Sequence, residues 1–182
     1  VQTEDAKHYF PKYLQRKTVV LPNSLDERFL LPRFDGVRNN EIVSVGRLVE
    51  CKNQSMLIEA FHAVADEYPE LQLKIYGNGT HNEDTREELE KQVAALHLEN
   101  RVYFMGHCND MPQQLYQSRI FVLTSDYEGM PNALLESMAL GLACISTDCP
   151  CGGPKTVIQD GENGLLIPVR DEKALEVALR RI

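Results

Sequence analysis

The chain has 182 residues and a formal net charge of -8, with 19 Lys and Arg against 27 Asp and Glu. Its composition, 43% hydrophobic and 25% charged, is that of an ordinary globular protein and excludes intrinsic disorder. At about 150 residues per domain, this length predicts one domain together with a fragment of a second. The acidic balance argues against a nucleic-acid-binding protein, because no dense Lys and Arg face offsets it.

Cysteine usage and hydropathy favour a cytoplasmic protein. The five cysteines leave one unpaired in any disulfide scheme and form no C-x-x-C pair, which argues against a disulfide framework, a zinc knuckle and a thioredoxin-like motif. The opening residues are mostly polar and acidic, unlike a secretory signal peptide. The most apolar stretch, 133–145, contains Glu136 and is shorter than the ~20 residues that a membrane-spanning helix needs. We therefore expect free thiols in a reducing compartment.

Residues 1–36 differ in character from the rest of the chain. They contain three prolines, a basic patch between Lys12 and Lys17, and one apolar run at 19–21 that ends in Pro-Asn. Such an ending indicates a chain break rather than the start of a helix. A regular alternation of elements occupies residues 37–182, so we place a domain boundary between the two parts.

Short β-branched runs alternate with helical patterns in this second part. The run at 42–45 predicts a strand, and apolar residues on one helical face after it predict a helix that Asn53 caps and Pro69 stops. The sequence Thr-Arg-Glu-Glu at 85–88 predicts a capping box for the next helix. The remaining strands are predicted at 71–76, 102–104, 120–123, 143–146 and 165–167, and the remaining helices at 111–117, 132–140, 154–158 and 171–182.

The alternation of strands and helices predicts an α/β fold. Right-handed βαβ crossovers place successive strands in one parallel sheet, and strands that are apolar throughout indicate a sheet covered on both faces. We therefore predict a Rossmann-like, doubly wound parallel sheet of about six strands over residues 37–182. Ligands of such sheets bind beyond the carboxyl ends of the strands, so the loops there are the candidate sites.

The loop after the first predicted strand carries two cations. Arg47 follows Gly46, and Lys52 lies just before the N-terminus of the next helix. Cations beside the positive end of a helix form an anion site, because unpaired N–H groups and the helix dipole add to their charge. The alternative is a pair of solvated surface charges. The spacing is not that of a Walker loop, and Gly-Asn-Gly at 77–79 lacks the third glycine of a dinucleotide fingerprint.

The loop after the fourth predicted strand, 124–132, is the richest in candidate residues. Glu128 follows the strand, Gly129 allows a close approach of the backbone, and Pro131 presets the chain for a helix. We place Glu136 in the first turn of that helix, where it can lean back toward the same opening. Carboxylates near an anion-binding helix end can accept hydrogen bonds from the hydroxyl groups of a sugar or a ribose. A solvated acid and a glutamate that offsets the helix dipole are the plain alternatives.

Two other chemistries fit the same acids. Asp126 and Glu128 resemble a metal clamp for a nucleotide sugar, but the nearby cations already supply positive charge, so we expect no metal. Glu128 and Glu136 could instead flank a glycosidic bond as the carboxylate pair of a hydrolase. The helix-end setting, which favours the ionised forms of both glutamates, argues against a protonated general acid.

Together these motifs resemble the C-terminal, donor-binding domain of the family 4 glycosyltransferases, which have the GT-B architecture. The spacing from Glu128 to Glu136 matches the family's E-x(7)-E motif. The resemblance extends over residues 19–182. It rests on Gly46-Arg47-Leu48 with Lys52-Asn53, on Glu128-Gly129-Met130-Pro131-Asn132, on Ala139-Leu140-Gly141, on Cys149-Pro150-Cys151-Gly152-Gly153-Pro154, and on Asp160-Gly161-Glu162-Asn163-Gly164-Leu165-Leu166.

The resemblance implies a role for each matching residue. Arg47 and Lys52 would be catalytic by neutralising the diphosphate of the leaving nucleoside diphosphate. Glu128 would act with them by accepting hydrogen bonds from the transferred sugar. Glu136 would hold the ribose. The other donor-binding positions, whose backbone would contact sugar and phosphate, are Gly46, Gly129, Met130, Pro131 and Asn132.

The resemblance also implies the reaction. Such enzymes retain the anomeric configuration, need no metal or other cofactor, and let the leaving diphosphate assist deprotonation of the acceptor. We expect a UDP-sugar donor, with a GDP-sugar as the alternative, and a glycan or lipid-linked acceptor in polysaccharide or glycoconjugate biosynthesis. A lipid-linked acceptor would bring the protein to the inner membrane face, with the membrane contact mostly on the other lobe.

Two departures from the family pattern qualify this expectation. Lys155 stands where an acidic residue often follows the glycine-rich turn, and we assign it no role. Residues 1–36 resemble only the tail of the acceptor lobe, with a strand-like 1–3, a helix, and an interdomain hinge at 19–23. We therefore expect a fragment that binds a nucleotide sugar weakly and transfers nothing alone. The alternatives are an epimerase or phosphorylase of similar two-lobed shape and a non-catalytic nucleotide-sugar-binding module.

Overall fold

The computed structural model describes all residues from Val1 to Ile182. Its strands are β1 (Asn39–Val45), β2 (Gln72–Tyr76), β3 (Val102–Gly106), β4 (Ser118–Leu123), β5 (Ala143–Thr147) and β6 (Leu165–Ile167). Its helices are α1 (Glu4–His8), α2 (Lys12–Gln15), α3 (Gln54–Ala65), α4 (Arg86–Ala95), α5 (Met111–Leu115), α6 (Asn132–Ala139), α7 (Gly153–Val157) and α8 (Glu172–Arg181), with short 3-10 helices at Glu27–Phe29 and Glu50–Lys52.

The six strands form one sheet in the order β3-β2-β1-β4-β5-β6, and every neighbouring pair is parallel. This confirms the predicted Rossmann-like α/β fold. Ile42 of β1 pairs with Leu73 of β2 on one side and with Ile120 of β4 on the other. The strand order reverses between β1 and β4, and a crevice opens beyond the carboxyl ends of strands at such a reversal.

Alternate strand residues supply a hydrophobic core on each face of the sheet. Ile42 and Val43, which are neighbours in β1, belong to different buried clusters. One cluster is completed by α3, α4 and α8, and the other by α5, α6, α7 and the buried Phe29. Helices on both faces explain why the central strands are apolar throughout.

Helix capping confirms one prediction and overturns another. Asn53 caps α3, because its side-chain oxygen accepts a hydrogen bond from the N–H of Met56 at 3.4 Å and its backbone is left-handed, with a φ of 49°. The capping box predicted for α4 is wrong, because the Thr85 hydroxyl makes no cap bond and is buried without a partner. Asp84 instead accepts the hydrogen bond from the N–H of Arg86 at 3.0 Å.

Two helices end earlier than the sequence predicted. α3 ends at Ala65 rather than at Pro69, and the carbonyl of Ala65 accepts a hydrogen bond from the guanidinium of Arg101 at 3.3 Å. α5 ends at Leu115, and the carbonyl of Gln117 beyond it accepts a hydrogen bond from the first N–H of β1 at 2.8 Å. In both places a distant part of the chain binds a carbonyl group at or just beyond the end of the helix, where the helix itself supplies no partner.

Residues 1–36, which we call the leading segment, lie beside the sheet without joining it. Residues 1–3, which were predicted to be strand-like, form no strand; two hydrogen bonds are made there, from the N–H of Leu21 to the carbonyl of Val1 at 2.8 Å and from the Val1 amine to the carbonyl of Val19 at 3.1 Å. Most large apolar side chains of the segment are exposed, Tyr9 by 88%. The boundary after residue 36 stays a prediction.

The five cysteines are all free thiols, as predicted. Burial raises the pKa of Cys144 to about 12 and that of Cys149 to about 11, so both stay protonated at neutral pH. None of the helices has both the length and the apolar composition that crossing a bilayer requires.

Candidate active site

The loops that follow β1 and β4 are tied together at the carboxyl edge of the sheet. The N–H of Asp126 donates to the carbonyl of Cys51 at 2.8 Å, and the hydroxyl of Thr124 donates to the carbonyl of Lys52 at 2.9 Å. The segment 124–132, which we call the β4 loop, is therefore fixed against the loop after β1. This brings the predicted residues of both loops to one crevice.

Lys52 and Glu128 form the charged centre of this crevice. Lys52 Nζ contacts Glu128 Oε1, and the two side chains are only 17% and 12% exposed. The hydroxyl of Ser125 donates to the same carboxylate oxygen at 2.7 Å. The second oxygen of Glu128 has no hydrogen-bond partner within the chain. The pair thus offers the crevice both an ammonium group and an unused acceptor.

Arg47, in the same loop as Lys52, is exposed and forms no ion pair. Both its charge and that of Glu128 act on the hydroxyl of Tyr127, whose pKa is raised chiefly by the neighbouring Cys51. Arg47 opposes that increase and Glu128 adds to it. The charges of Arg47 and Glu128 thus both act on this tyrosine, and the guanidinium of Arg47 has no carboxylate partner in the chain.

A cavity of about 410 Å³ opens beside Arg47 at the carboxyl ends of β1, β2 and β3. Gly77 forms part of its wall with a φ of 130°, and a Cβ atom there would overlap the carbonyl oxygen of Gly46. From the sequence, 77–79 was considered only as an incomplete dinucleotide fingerprint, so this role of Gly77 was missed. The larger side chains around the cavity belong to Val45, Tyr76, His107, Cys108 and Met111.

α6 begins in the β4 loop with unpaired backbone donors. Pro131 precedes it and provides no side-chain cap, and the N–H groups of Asn132 and Ala133 find no acceptor in the chain. The N–H of Met130, by contrast, donates to Oε1 of Gln2 at 3.0 Å. Of the amides predicted to contact a ligand, that of Asn132 is therefore available and that of Met130 is already engaged.

Glu136 lies deeper than predicted and in different surroundings. It is the fifth residue of α6, so it lies in the second turn rather than the first. Burial raises the pKa of its half-buried carboxyl, Asp26 adds to the increase, and Arg28 opposes it. At this residue desolvation therefore opposes the ionised form that the helix end was expected to favour. Glu136 makes no hydrogen bond or ion pair with Glu128 or with either predicted cation.

The two acids considered as a metal clamp are each held by a cation. Nε of Arg170 donates to Oδ2 of Asp126 at 2.9 Å, and Asn53 reaches the other oxygen at 3.4 Å. Glu128 is held by Lys52. The chain contains no group of three or more His, Cys, Asp or Glu side chains arranged to hold a metal ion. Each of these two acids therefore already has a cationic partner in the chain.

The glycine-rich turn at 149–154 lies against the β4 loop. A Cβ atom on Gly153 would overlap the carbonyl oxygen of Gly129, so this contact requires glycine. Lys155, which departs from the family pattern, forms an ion pair with Asp5 of the leading segment at 2.6 Å. The unusual lysine is thus matched by an acid more than a hundred positions away.

Sequence reasoning missed two side chains that the leading segment supplies to the β4 loop. Asn23 Nδ2 donates to the carbonyl of Met130 at 3.1 Å and to Oδ1 of Asn132 at 2.6 Å. Gln2, which accepts from the N–H of Met130, donates in turn to Oδ1 of Asn23 at 2.6 Å. No motif marks either residue, because the contacts join positions that only the fold brings together.

Comparison with known proteins agrees with this geometry. Residues 39–182, which include all six strands, match the family described as Glycosyl transferases group 1. The chain is 32% identical over 171 residues to an uncharacterized glycosyltransferase of Methanocaldococcus jannaschii, a match that covers 87% of this chain and 41% of that protein.

Two relatives with named activities show the same pattern of partial coverage. The chain is 31% identical to the UDP-Gal:alpha-D-GlcNAc-diphosphoundecaprenol alpha-1,3-galactosyltransferase of Escherichia coli, over 91% of this chain and 45% of that protein. The crystal structure of the pneumococcal O-GlcNAc transferase GtfA with UDP and GlcNAc superposes with a TM-score of 0.83 at 26% identity, over 98% of this chain and 37% of that one. The chain thus spans less than half of these proteins. It belongs to the Glycosyl transferases group 1 family.

Proposed function

We propose that this chain is the donor-binding part of a retaining glycosyltransferase and that its crevice between β1 and β4 holds the diphosphate of a UDP-sugar. One observation carries the proposal: the mostly buried Lys52–Glu128 pair joins the loop that carries the exposed Arg47 to the loop that leads into the unpaired N–H groups of α6. This arrangement offers positive charge to a diphosphate and an acceptor oxygen to a sugar hydroxyl.

The cations and the helix end stabilise the leaving group. When the bond between the anomeric carbon and the diphosphate oxygen breaks, its electrons stay on the diphosphate. Arg47, Lys52 and the N–H groups of Asn132 and Ala133 then face the increased negative charge, and Lys52 needs little reorganisation because Glu128 already holds it. The acceptor oxygen bonds to the same face of the anomeric carbon, and its proton passes to the departing diphosphate. The proposal assigns no step to a metal ion.

The carboxylates bind hydroxyl groups of the donor. The unused oxygen of Glu128 accepts a hydrogen bond from the sugar, and the carboxyl of Glu136 binds the ribose. The cavity beside Arg47 has room for the nucleoside. The remaining predicted donor-binding positions, Gly46, Gly129, Met130 and Pro131, shape the backbone around sugar and phosphate.

Names of relatives support UDP as the nucleotide and a lipid-linked acceptor. The E. coli relative is named for UDP-Gal and a diphosphoundecaprenol acceptor, and a pneumococcal relative is named a UDP-N-acetylglucosamine–peptide transferase subunit. The anomeric bond of UDP-Gal is α, and the name of the E. coli relative gives an alpha-1,3 product. That enzyme therefore retains the anomeric configuration. We extend these properties to this chain, with UDP preferred over GDP and the acceptor a glycan or a lipid-linked sugar at the membrane surface.

Calorimetric titration with UDP-glucose, UDP-galactose, UDP-N-acetylglucosamine and GDP-mannose tests the proposal. We expect binding of at least one UDP-sugar and weaker binding of GDP-mannose. Arg47→Ala and Lys52→Ala should each weaken the UDP-sugar by about 10- to 100-fold, since each removes a charge-assisted contact. Lys91→Ala is the matched control, because Lys91 pairs with Glu87 on the exposed face of α4. Binding of no nucleotide sugar, or equal losses in the control, would contradict the proposal.

The proposal also states that this chain alone transfers nothing. Incubation with the UDP-sugar that binds and an undecaprenol-diphosphate-linked sugar should yield no elongated product. Release of UDP should not exceed the rate without protein. Product formation by the chain alone would overturn this part of the proposal and leave the binding assignment intact.

A further inference from the structure

The side-chain amides of the leading segment form a continuous hydrogen-bonded chain on the β4 loop. Gln2 Oε1 accepts from the N–H of Met130 at 3.0 Å, and Gln2 Nε2 donates to Asn23 at 2.6 Å. Asn23 then donates to the carbonyl of Met130 at 3.1 Å and to Asn132 at 2.6 Å. Both backbone polar groups of Met130 are therefore held by side chains from outside the loop.

Gln2 approaches the loop backbone directly. A Cβ atom on Gly129 would overlap Oε1 of Gln2, so a side chain at position 129 would make the end of the Gln2 side chain shift. Met130 is itself buried, which shields its hydrogen bonds from water.

The neighbouring residues anchor the same segment to the glycine-rich turn. Thr3 is only 1% exposed, and its hydroxyl donates to the carbonyl of Cys151. Asp5 pairs with Lys155, but with both side chains more than 40% exposed this pair adds little. Gln2 and Thr3 thus reach the two loops that meet at Gly129 and Gly153.

We infer that Gln2, supported by Asn23, is a positioning residue for recognition of the donor sugar. The inference rests on the proposed function and adds a residue to it. By holding Met130, the amide pair fixes the backbone that follows Glu128, the residue proposed to face the sugar. The diphosphate contacts of Arg47 and Lys52 come from the other loop and do not depend on this hold.

This arrangement predicts a loss that concerns the sugar and spares the nucleotide. In calorimetric titrations, Gln2→Ala should weaken the best-binding UDP-sugar about tenfold, the equivalent of two hydrogen bonds, and change the affinity for UDP by less than about twofold. Gln2→Glu keeps the acceptor for Met130 and loses the donor to Asn23, so its effect should be intermediate. Gln15→Ala is the matched control, because the amide of Gln15 bonds only within the leading segment.

Hydrogen exchange of the Met130 amide tests the contact without any ligand. The amide should be protected in the wild-type chain and in Gln15→Ala, and should exchange faster in Gln2→Ala and Asn23→Ala. The inference would be overturned if Gln2→Ala lost equal affinity for UDP and for the UDP-sugar, or if it bound the UDP-sugar more tightly than the wild-type chain. If the wild-type chain binds a UDP-sugar and Gln2→Ala binds it with the same affinity, this inference alone is overturned. A wild-type chain that binds none overturns the proposed function as well.

Discussion

The sheet domain and the leading segment are stabilised in different ways. The sheet carries two buried clusters, and side chains such as Phe61 and Phe121 are completely removed from water. In the leading segment Phe29 is the one large apolar side chain that is buried, while Tyr9 and Leu21 remain mostly exposed. The segment is held instead by polar side chains, among them Gln2, that contact the loops of the candidate site.

This difference means that one kind of interaction stabilises the fold and another positions the residues of the candidate site. Burial of apolar area supplies most of the free energy that forms the sheet, and it needs no ligand or partner. A few hydrogen bonds contribute much less free energy, but they are directional and fix where a backbone N–H points. Substitutions in the core of the sheet should therefore change the free energy of unfolding strongly. Substitutions around the crevice should change it little but should affect ligand binding.

The largest expected effect is a core truncation. Phe121→Ala in β4 should lower the free energy of unfolding by about 3–5 kcal/mol, because it removes a fully buried ring and leaves a cavity. Tyr9→Ala in the leading segment should change it by less than about 0.5 kcal/mol. Urea unfolding followed by circular dichroism measures both. Equal losses would show that the leading segment contributes a hydrophobic core of its own.

A smaller effect is expected when the charged centre of the site is broken. Glu128→Ala leaves the largely buried ammonium of Lys52 without its carboxylate, and should cost about 1–3 kcal/mol of unfolding free energy. Glu87→Ala breaks the exposed pair with Lys91 and should cost less than about 1 kcal/mol. The same urea experiment compares them. A cost for Glu128→Ala no greater than for Glu87→Ala would mean that water reaches the pair freely.

High pH should lower the stability of residues 37–182 in particular, because the buried groups with raised pKa values lie there. Burial raises the pKa of Cys149 from 9.0 to about 11, that of Cys144 from 9.0 to about 12, and that of Tyr76 from 10.0 to about 12. Above pH 9 the unfolded chain therefore loses these protons first, so the free energy of unfolding falls as pH rises, by up to about 1.4 kcal/mol per group for each pH unit. Below pH 9 these groups leave stability unchanged.

Thermal unfolding at pH 8, 9.5 and 10.5 measures this fall. Cys144→Ala removes one of the three groups and should flatten the dependence between pH 9.5 and 10.5. Cys108→Ala is the matched control, because Cys108 is only half-buried at the cavity wall. A flat profile in the wild-type chain would show that the buried thiols and the phenol ionise without unfolding.

The contrast between the apolar sheet and the polar contacts of the leading segment also explains what the sequence could predict. Strands such as 165–167 were placed correctly, since local β-branched and apolar runs carry their own signal. The meeting of the loops after β1 and β4 was also predictable, because parallel topology brings them to one edge, but their ion pair between Lys52 and Glu128 was not predicted. The surroundings of Glu136 and the hold of Gln2 on Met130 were not, because they depend on where the leading segment lies.

The smallest expected effect is that of removing divalent metal ions. Both acids that could form a clamp already face cations, Asp126 the guanidinium of Arg170 and Glu128 the ammonium of Lys52. EDTA should therefore leave the affinity for the UDP-sugar and the unfolding midpoint unchanged. Asp126→Asn should also have little effect, within about 1 kcal/mol, because Arg170 is largely exposed. If EDTA abolished binding and Mg²⁺ or Mn²⁺ restored it, the positive charge at the diphosphate would have to come from a metal, and Arg47 would lose the role proposed for it.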